Sequence, residues 1–126
     1  MTSVVLRFFA GLLLAVLLIE AADAACQQRN LQGRWSAYFQ VATQNDAGYC
    51  TFAITPLGKM VDAACVMDGA QKPLRGQLTT DASCFVEGDF RMGDKTYTLT
   101  HATLREGFVA GTGEFYRFTV QMVRRP

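Results

Sequence analysis

The residues that could carry acid–base chemistry are few in this chain. The single histidine, His101, could act as a general base or as a ligand, and Glu87 and Asp89 lie two positions apart on one predicted strand face. Acid–base catalysis would need one of the two carboxyl groups to be buried so that their pKa values separate, but the alternation of the strand points both outward. We therefore expect His101 to be a hydrogen-bonded residue at a strand end and the two carboxylates to be solvated.

Motifs of nucleophilic and phosphate-binding enzymes are missing from the sequence. There is no Ser-x-x-Lys, no Gly-x-Ser-x-Gly and no glycine-rich loop that ends in Gly-Lys-Ser/Thr. The stretch from Gly111 to Glu114 (GTGE) opens a predicted strand, so it lacks the helix N-terminus with which such loops bind anions. The cysteine spacings also do not fit a structural zinc site. The sequence predicts a protein that is not an enzyme and that holds no metal or cofactor.

The four cysteines are predicted to form two disulfides. Their spacings of 24, 15 and 19 residues do not fit the Cys-x-x-Cys redox motif. In CTFAITPLGKMVDAAC, residues 50–65, a hairpin that turns at the central Pro-Leu-Gly places Cys50 directly opposite Cys65, close enough for a bridge. Cys26 would then pair with Cys84. The alternative connectivity joins Cys65 to Cys84 and Cys26 to Cys50.

The first 24 residues have the pattern of a cleaved signal peptide. The apolar run at 8–19 is shorter than the roughly 20 residues of a membrane span, and Ala22 and Ala24 supply the small residues of a cleavage site. A lipid anchor at Cys26 is disfavoured because an acidic residue stands where lipoprotein signals carry an aliphatic one. We expect a secreted or periplasmic domain at 25–126, without a membrane span in the mature chain.

The charge distribution argues against a nucleic-acid partner. The whole chain carries +1; without the signal peptide the basic count falls from 12 to 11 and the acidic count from 11 to 9, a net charge of about +2. These charges are spread along the chain, and there is no basic stripe.

The mature chain is predicted to be all-β. Alternating segments separated by turn residues indicate a single antiparallel meander of seven to eight strands that forms a small barrel or a sandwich. The predicted strands are 33–41, 49–55, 59–67, 74–79, 84–92, 95–101, 109–111 and 114–124.

The alternation also predicts which side chains face the core. The inward set is Trp35, Ala37, Phe39, Val41, Cys50, Phe52, Ile54, Val61, Ala63, Cys65, Met67, Leu74, Gly76, Leu78, Cys84, Val86, Gly88, Phe90, Tyr97, Leu99, His101, Tyr116, Phe118, Val120 and Met122. Tyr38, Phe85 and Phe115 fall on the outer face, and Phe108 flanks a turn. Aromatic residues that cluster on a surface mark partner-binding sites, so these four are the candidates for such a site.

The motif LQGRW at residues 31–35 opens the first predicted strand. It resembles the Gly-x-Trp start shared by calycins, which include lipocalins, avidins and small bacterial metalloprotease inhibitors. The resemblance implies an up-and-down barrel with Gly33 and Trp35 at one end. The tryptophan would close that end, and a basic residue near the last strand, Arg124 or Arg117, would pack across it.

These observations predict an exported, non-enzymatic module that binds a protein partner as an inhibitor or as an envelope adaptor. The predicted core contains many aromatic side chains and two disulfides, which would fill an eight-stranded barrel. The alternative is a carrier that holds a small apolar ligand at the barrel mouth.

Overall fold

The computed structural model describes residues 26–42, 46–114 and 117–126. The predicted signal peptide at 1–24, the partner-binding candidate Phe115 and the predicted core residue Tyr116 lie outside the described residues. A short 3₁₀ helix precedes eight strands. They are Gln28–Asn30 (3₁₀), Gly33–Val41 (β1), Asp46–Ile54 (β2), Met60–Met67 (β3), Ala70–Thr80 (β4), Phe85–Met92 (β5), Lys95–Arg105 (β6), Phe108–Glu114 (β7) and Phe118–Arg124 (β8).

The eight strands form a closed antiparallel barrel in which each strand pairs with its neighbours in sequence. Closure comes from β1 and β8, which pair from Trp35 opposite Arg124 to Val41 opposite Phe118. This pairing decides between the two predicted architectures in favour of a barrel. A closed barrel leaves no strand edge exposed.

The core is made by the inward-facing residues of all eight strands. The predicted alternation of β1 is confirmed, because Trp35, Ala37, Phe39 and Val41 are all buried. The inward residues predicted for β2 are buried as well, as are those of β8 that the structure describes. Burial of one side-chain set per strand supplies most of the driving force for folding a domain of this size.

The predicted phase of β3 is wrong in its first half. Asp62 adopts a positive φ of 49° in a β-bulge against β2, which adds one residue to β3. The bulge reverses the alternation of the residues before it, so Met60 is buried and Val61, predicted to face inward, is only half-buried. Ala63 lies after the bulge, keeps its predicted phase and packs half-buried against the core.

The prediction that His101 faces the core is wrong because of a second bulge. The register of β6 against β7 shifts between Leu99 and His101, which inserts Thr100 as an extra residue. Beyond this point the inward residues are Ala102 and Leu104, both buried. His101 is exposed instead of facing the core.

The last two strands divide differently from the prediction. Phe108–Glu114 is one continuous strand, longer than the predicted 109–111, and β8 begins at Phe118 instead of at 114. Pairing with β6 on one side and β8 on the other holds the glycine-rich strand extended. A side chain at Gly111 or Gly113 would meet backbone atoms at 2.3 Å, which explains the two glycines.

Both predicted disulfides form. Cys50 and Cys65 are register partners on β2 and β3 with their Cα atoms 4.1 Å apart. Cys26 joins Cys84, with Cα atoms 5.1 Å apart, and ties the segment before β1 to the turn between β4 and β5. Two disulfides indicate an oxidising environment such as the periplasm or the cell exterior.

Candidate functional site

Three exposed apolar side chains form a row across β1, β2 and β3. Tyr38 is the register partner of Tyr49, and Tyr49 is the register partner of Val66. The two tyrosine rings lie 5.0 Å apart between centroids, and the Tyr49 hydroxyl is 3.4 Å from Ser36 Oγ. Tyr38 is 55% exposed, Tyr49 39% and Val66 43%. The paired rings thus present a preformed aromatic surface to solvent.

A second exposed apolar pair lies across the closure of the barrel, in the neighbouring row, which contains Ser36. Phe108 on β7 is the register partner of Val123 on β8, and Val123 is opposite Ser36 on β1. Phe108 is 40% exposed and Val123 is 45% exposed. Ser36 and Tyr38 are successive outward residues of β1, so the two apolar groups are neighbours.

Among the described residues, the central part of the outer surface of these five strands carries no charged side chain, and the exposed Arg34 of β1 and Asp62 of β3 lie at its margin. We call this central part the uncharged face. It consists of Phe108, Ala110 and Thr112 of β7, Thr119, Gln121 and Val123 of β8, Ser36, Tyr38 and Gln40 of β1, Ala47, Tyr49 and Thr51 of β2, and Ala64 and Val66 of β3. The outer surface of β4 to β6 differs, because it carries exposed Arg75, Glu87, Asp89, Arg91 and Arg105.

The structure brings together two of the four predicted partner-binding residues. Tyr38 and Phe108 belong to the uncharged face. Phe85, 51% exposed, is opposite Thr103 on β6 and is therefore separated from Phe108 by one strand. Sequence reasoning missed Tyr49 and Val66: alternation with the inward cysteines marks both as outward residues, but only the strand pairing places them beside Tyr38.

One end of the barrel is closed by the Trp35 indole. The ring is fully buried and its Nε1–H donates to the Leu31 carbonyl at 2.7 Å. The Arg124 guanidinium lies over the ring, 4.8 Å from its centroid, and donates to the carbonyls of Gln32 and Asn30. Arg124 thus fastens the 3₁₀ segment across the end of the barrel by cation–π contact and hydrogen bonds.

Gly33 is required by this arrangement. Its φ is +126°, and a Cβ atom there would lie 2.9 Å from Arg124 Nη1. The alternative basic residue, Arg117, lies at the opposite end of the barrel, where its carbonyl accepts a hydrogen bond from the Ala42 N–H. Of the two arginines, the structure thus places Arg124 against the tryptophan.

Aromatic side chains fill the other half of the interior. Phe90 and Tyr97 stack at 5.3 Å between centroids, and Phe118 meets both rings edge-on at 5.5 and 5.4 Å. The void among the central side chains has a volume of about 20 Å³, room for about one water molecule. A fatty acid or a similar ligand does not fit in that void.

The acid–base candidates do not converge. His101 Nδ1 lies 3.1 Å from Thr100 Oγ1, and the exposed Asp89 accepts a hydrogen bond from Thr98 Oγ1 at 2.8 Å. Glu87 is exposed on the same outer surface. Within 26–42, 46–114 and 117–126, no three His, Cys, Asp or Glu side chains group as metal ligands would.

One carboxyl group at the barrel rim has a shifted pKa. The pKa of Asp46 is raised above its ordinary value of 3.8, chiefly by a hydrogen bond with the Asp68 side chain. Desolvation and the negative charge of Asp68 act in the same direction, and Lys95 opposes them.

Comparison with protein-family models, with curated proteins and with solved structures finds no match to this chain. Among the described residues, no helix has the length and apolar character that crossing a bilayer requires.

Proposed function

We propose that this chain is an exported, non-enzymatic β-barrel module that binds a protein partner through its uncharged face. The observation that carries the proposal is the exposed row of Tyr38, Tyr49 and Val66 on a surface whose central described residues are uncharged. Depletion of charge and enrichment in tyrosine are the compositional marks of interface centres.

The extent of the uncharged face suits this role. It covers five strands, spaced about 4.8 Å apart, and up to three outward residues on each strand, spaced about 6.8 Å, which is roughly 460 Å² along the curved surface of the barrel. Patches of this size on monomers are often functional, and a standard interface adds a polar rim to reach about 800 Å² per partner.

The export part of the proposal rests on the signal-peptide pattern together with the two disulfides, which persist in oxidising compartments. We also assign the barrel to the calycin-like type. This assignment is supported by Gly33, Trp35 and Arg124, which lie together at the closed end of an up-and-down barrel. The module would act on its partner either as an inhibitor or as an envelope adaptor.

A capture experiment with matched variants tests the proposal. The wild-type protein, a Tyr38→Ser/Tyr49→Ser variant and a Phe85→Ser control serve as baits in extracts of the host envelope and medium. Phe85 is an equally exposed aromatic residue outside the uncharged face. We expect the same partner to be retained by wild type and by Phe85→Ser and lost by the double variant. Undiminished capture by the double variant, with its fold intact by circular dichroism, contradicts the proposal.

A further inference from the structure

A groove of about 510 Å³ crosses the outer surface of β4, β5 and β6, on the side of the barrel that carries charges. Three cationic side chains line it, Lys59, Arg75 and Arg91, together with a single acid, Asp89. Its volume lies within the range of small-molecule sites. The groove is separate from the uncharged face, and the turn that forms one of its walls lies at the closed end of the barrel.

The two arginines of the groove are directly opposed. Arg75 on β4 is the register partner of Arg91 on β5, and both side chains are exposed. Like charges at directly opposed positions repel each other and weaken the strand pair. An anion between the two guanidinium groups would reverse this repulsion and would accept hydrogen bonds from both.

These cations are not neutralised by the protein. Arg75 and Lys59 have no side-chain ion pair or hydrogen bond within the part of the chain that the structure describes. Arg91 donates from Nε to the Gly93 carbonyl at 3.3 Å, which leaves its terminal nitrogens available. The one acid among the described lining residues, Asp89, accepts a hydrogen bond from the neutral Thr98 hydroxyl at 2.8 Å, and the three cations outnumber it.

One wall of the groove is the turn between β2 and β3, which is hydrogen-bonded to β4 and exposes an apolar side chain to solvent. Leu57, in the turn between β2 and β3, is 80% exposed and lines the groove. Its carbonyl accepts a hydrogen bond from Gln77 Nε2 at 3.0 Å, and the Gly58 carbonyl accepts one from the Leu78 N–H at 2.8 Å. A Cβ atom at Gly58 would lie 2.2 Å from the Leu78 carbonyl oxygen, so the turn can lie this close to β4 only with glycine.

We propose that this groove binds an amphiphilic anion, a molecule in which a phosphate, sulfate or carboxylate group adjoins an apolar group. Arg75 and Arg91 hold the anionic group, Lys59 adds a third positive charge, and Leu57 contacts the apolar part. A planar guanidinium can engage such oxyanions through two parallel hydrogen bonds, whereas the ammonium acts as a point charge.

Titration of the ¹⁵N-labelled protein with hexyl phosphate tests this proposal by NMR. We expect amide shifts at Gly76, Gln77 and Phe90, weaker shifts with inorganic phosphate and none with hexanol. An Arg75→Gln/Arg91→Gln variant should bind hexyl phosphate about tenfold more weakly. The control is Arg34→Gln/Arg117→Gln, which removes two exposed positive charges outside the groove and should bind as wild type does.

Three results overturn the proposal: no shifts at the groove, equal shifts with hexanol, or unchanged affinity in the Arg75→Gln/Arg91→Gln variant with a native spectrum. A second arm distinguishes a free amphiphile from a lipid head group. If the protein sediments with phosphatidylglycerol vesicles but not with phosphatidylcholine vesicles, and the Arg75→Gln/Arg91→Gln variant does not sediment, the natural ligand is a lipid head group. Without sedimentation, the shifts with hexyl phosphate indicate a free amphiphile.

Discussion

Replacing Arg124 by alanine should destabilise the closed end of the barrel. The guanidinium lies 4.8 Å from the Trp35 centroid and donates to two backbone carbonyls of the segment before β1. At an exposed position each hydrogen bond contributes about 0.5–1.5 kcal/mol and the cation–π contact about 0.5–1 kcal/mol. The free energy of unfolding should therefore fall by about 2 kcal/mol. For a domain of this size, that loss lowers Tm by about 8–16 °C.

Two further variants test whether the loss of stability comes from the position and the forked shape of the Arg124 side chain. Arg124→Lys keeps the charge but loses the forked geometry that reaches both carbonyls, so we expect about half of the loss, about 1 kcal/mol. Arg117→Ala removes the same side chain at the opposite end of the barrel and should change stability by less than about 0.5 kcal/mol.

Urea denaturation provides the assay, because Trp35 is the only tryptophan and reports directly on this end of the barrel. The Arg124→Ala variant should also show a red-shifted emission as water reaches the indole. If Arg124→Ala loses no more stability than Arg117→Ala, the guanidinium does not close the barrel and the reasoning is refuted.

Three further predictions concern Gly33, the two disulfides and Asp46. Gly33→Ala, at φ +126° and 2.9 Å from Arg124 Nη1, should destabilise by about 1–3 kcal/mol; Gly69→Ala, with no atom within 4 Å, should cost less in the same urea titration. Cys26→Ala/Cys84→Ala removes a disulfide of sequence separation 58 and should lower the free energy of unfolding by about 4 kcal/mol. Cys50→Ala/Cys65→Ala removes the disulfide of separation 15 and should lower it by about 3 kcal/mol, because the shorter loop constrains the unfolded chain less. The raised pKa of Asp46 means that stability falls as pH rises from 3.8 through its folded-state pKa, and Asp46→Asn should abolish that decline in urea titrations across pH.

Much of the fold could be predicted because each strand carries its own signal. Alternation alone marked Trp35, Phe52 and Val120 as core residues, and all three are buried. The pairing of Cys50 with Cys65 followed from the position of a turn. The observed register differs from the predicted one next to the turn, where Ile54 is opposite Met60. The bulge in β3 then shifts the pairing by one residue, so that Cys50 and Cys65 are opposite each other as predicted.

The failures have a common physical cause. A bulge is a property of two paired strands, so the extra residues at Asp62 and Thr100 leave no mark in the alternation of one strand. Alternation therefore predicts the wrong face for Val61 and His101. The candidate site is incomplete for a similar reason: the exposed apolar residues that share a surface with Tyr38 lie on β2, β3, β7 and β8, and only barrel closure brings the last two strands to β1.

Site-specific photo-crosslinking in the host tests partner binding through the uncharged face most directly. A photoreactive phenylalanine analogue replaces Tyr49 in one variant and Glu87, on the charged outer surface, in the other. We predict a single crosslinked protein from position 49, absent at position 87 and suppressed by Tyr38→Ser. Crosslinking that is equal at both positions, or that is unaffected by Tyr38→Ser, would contradict the account.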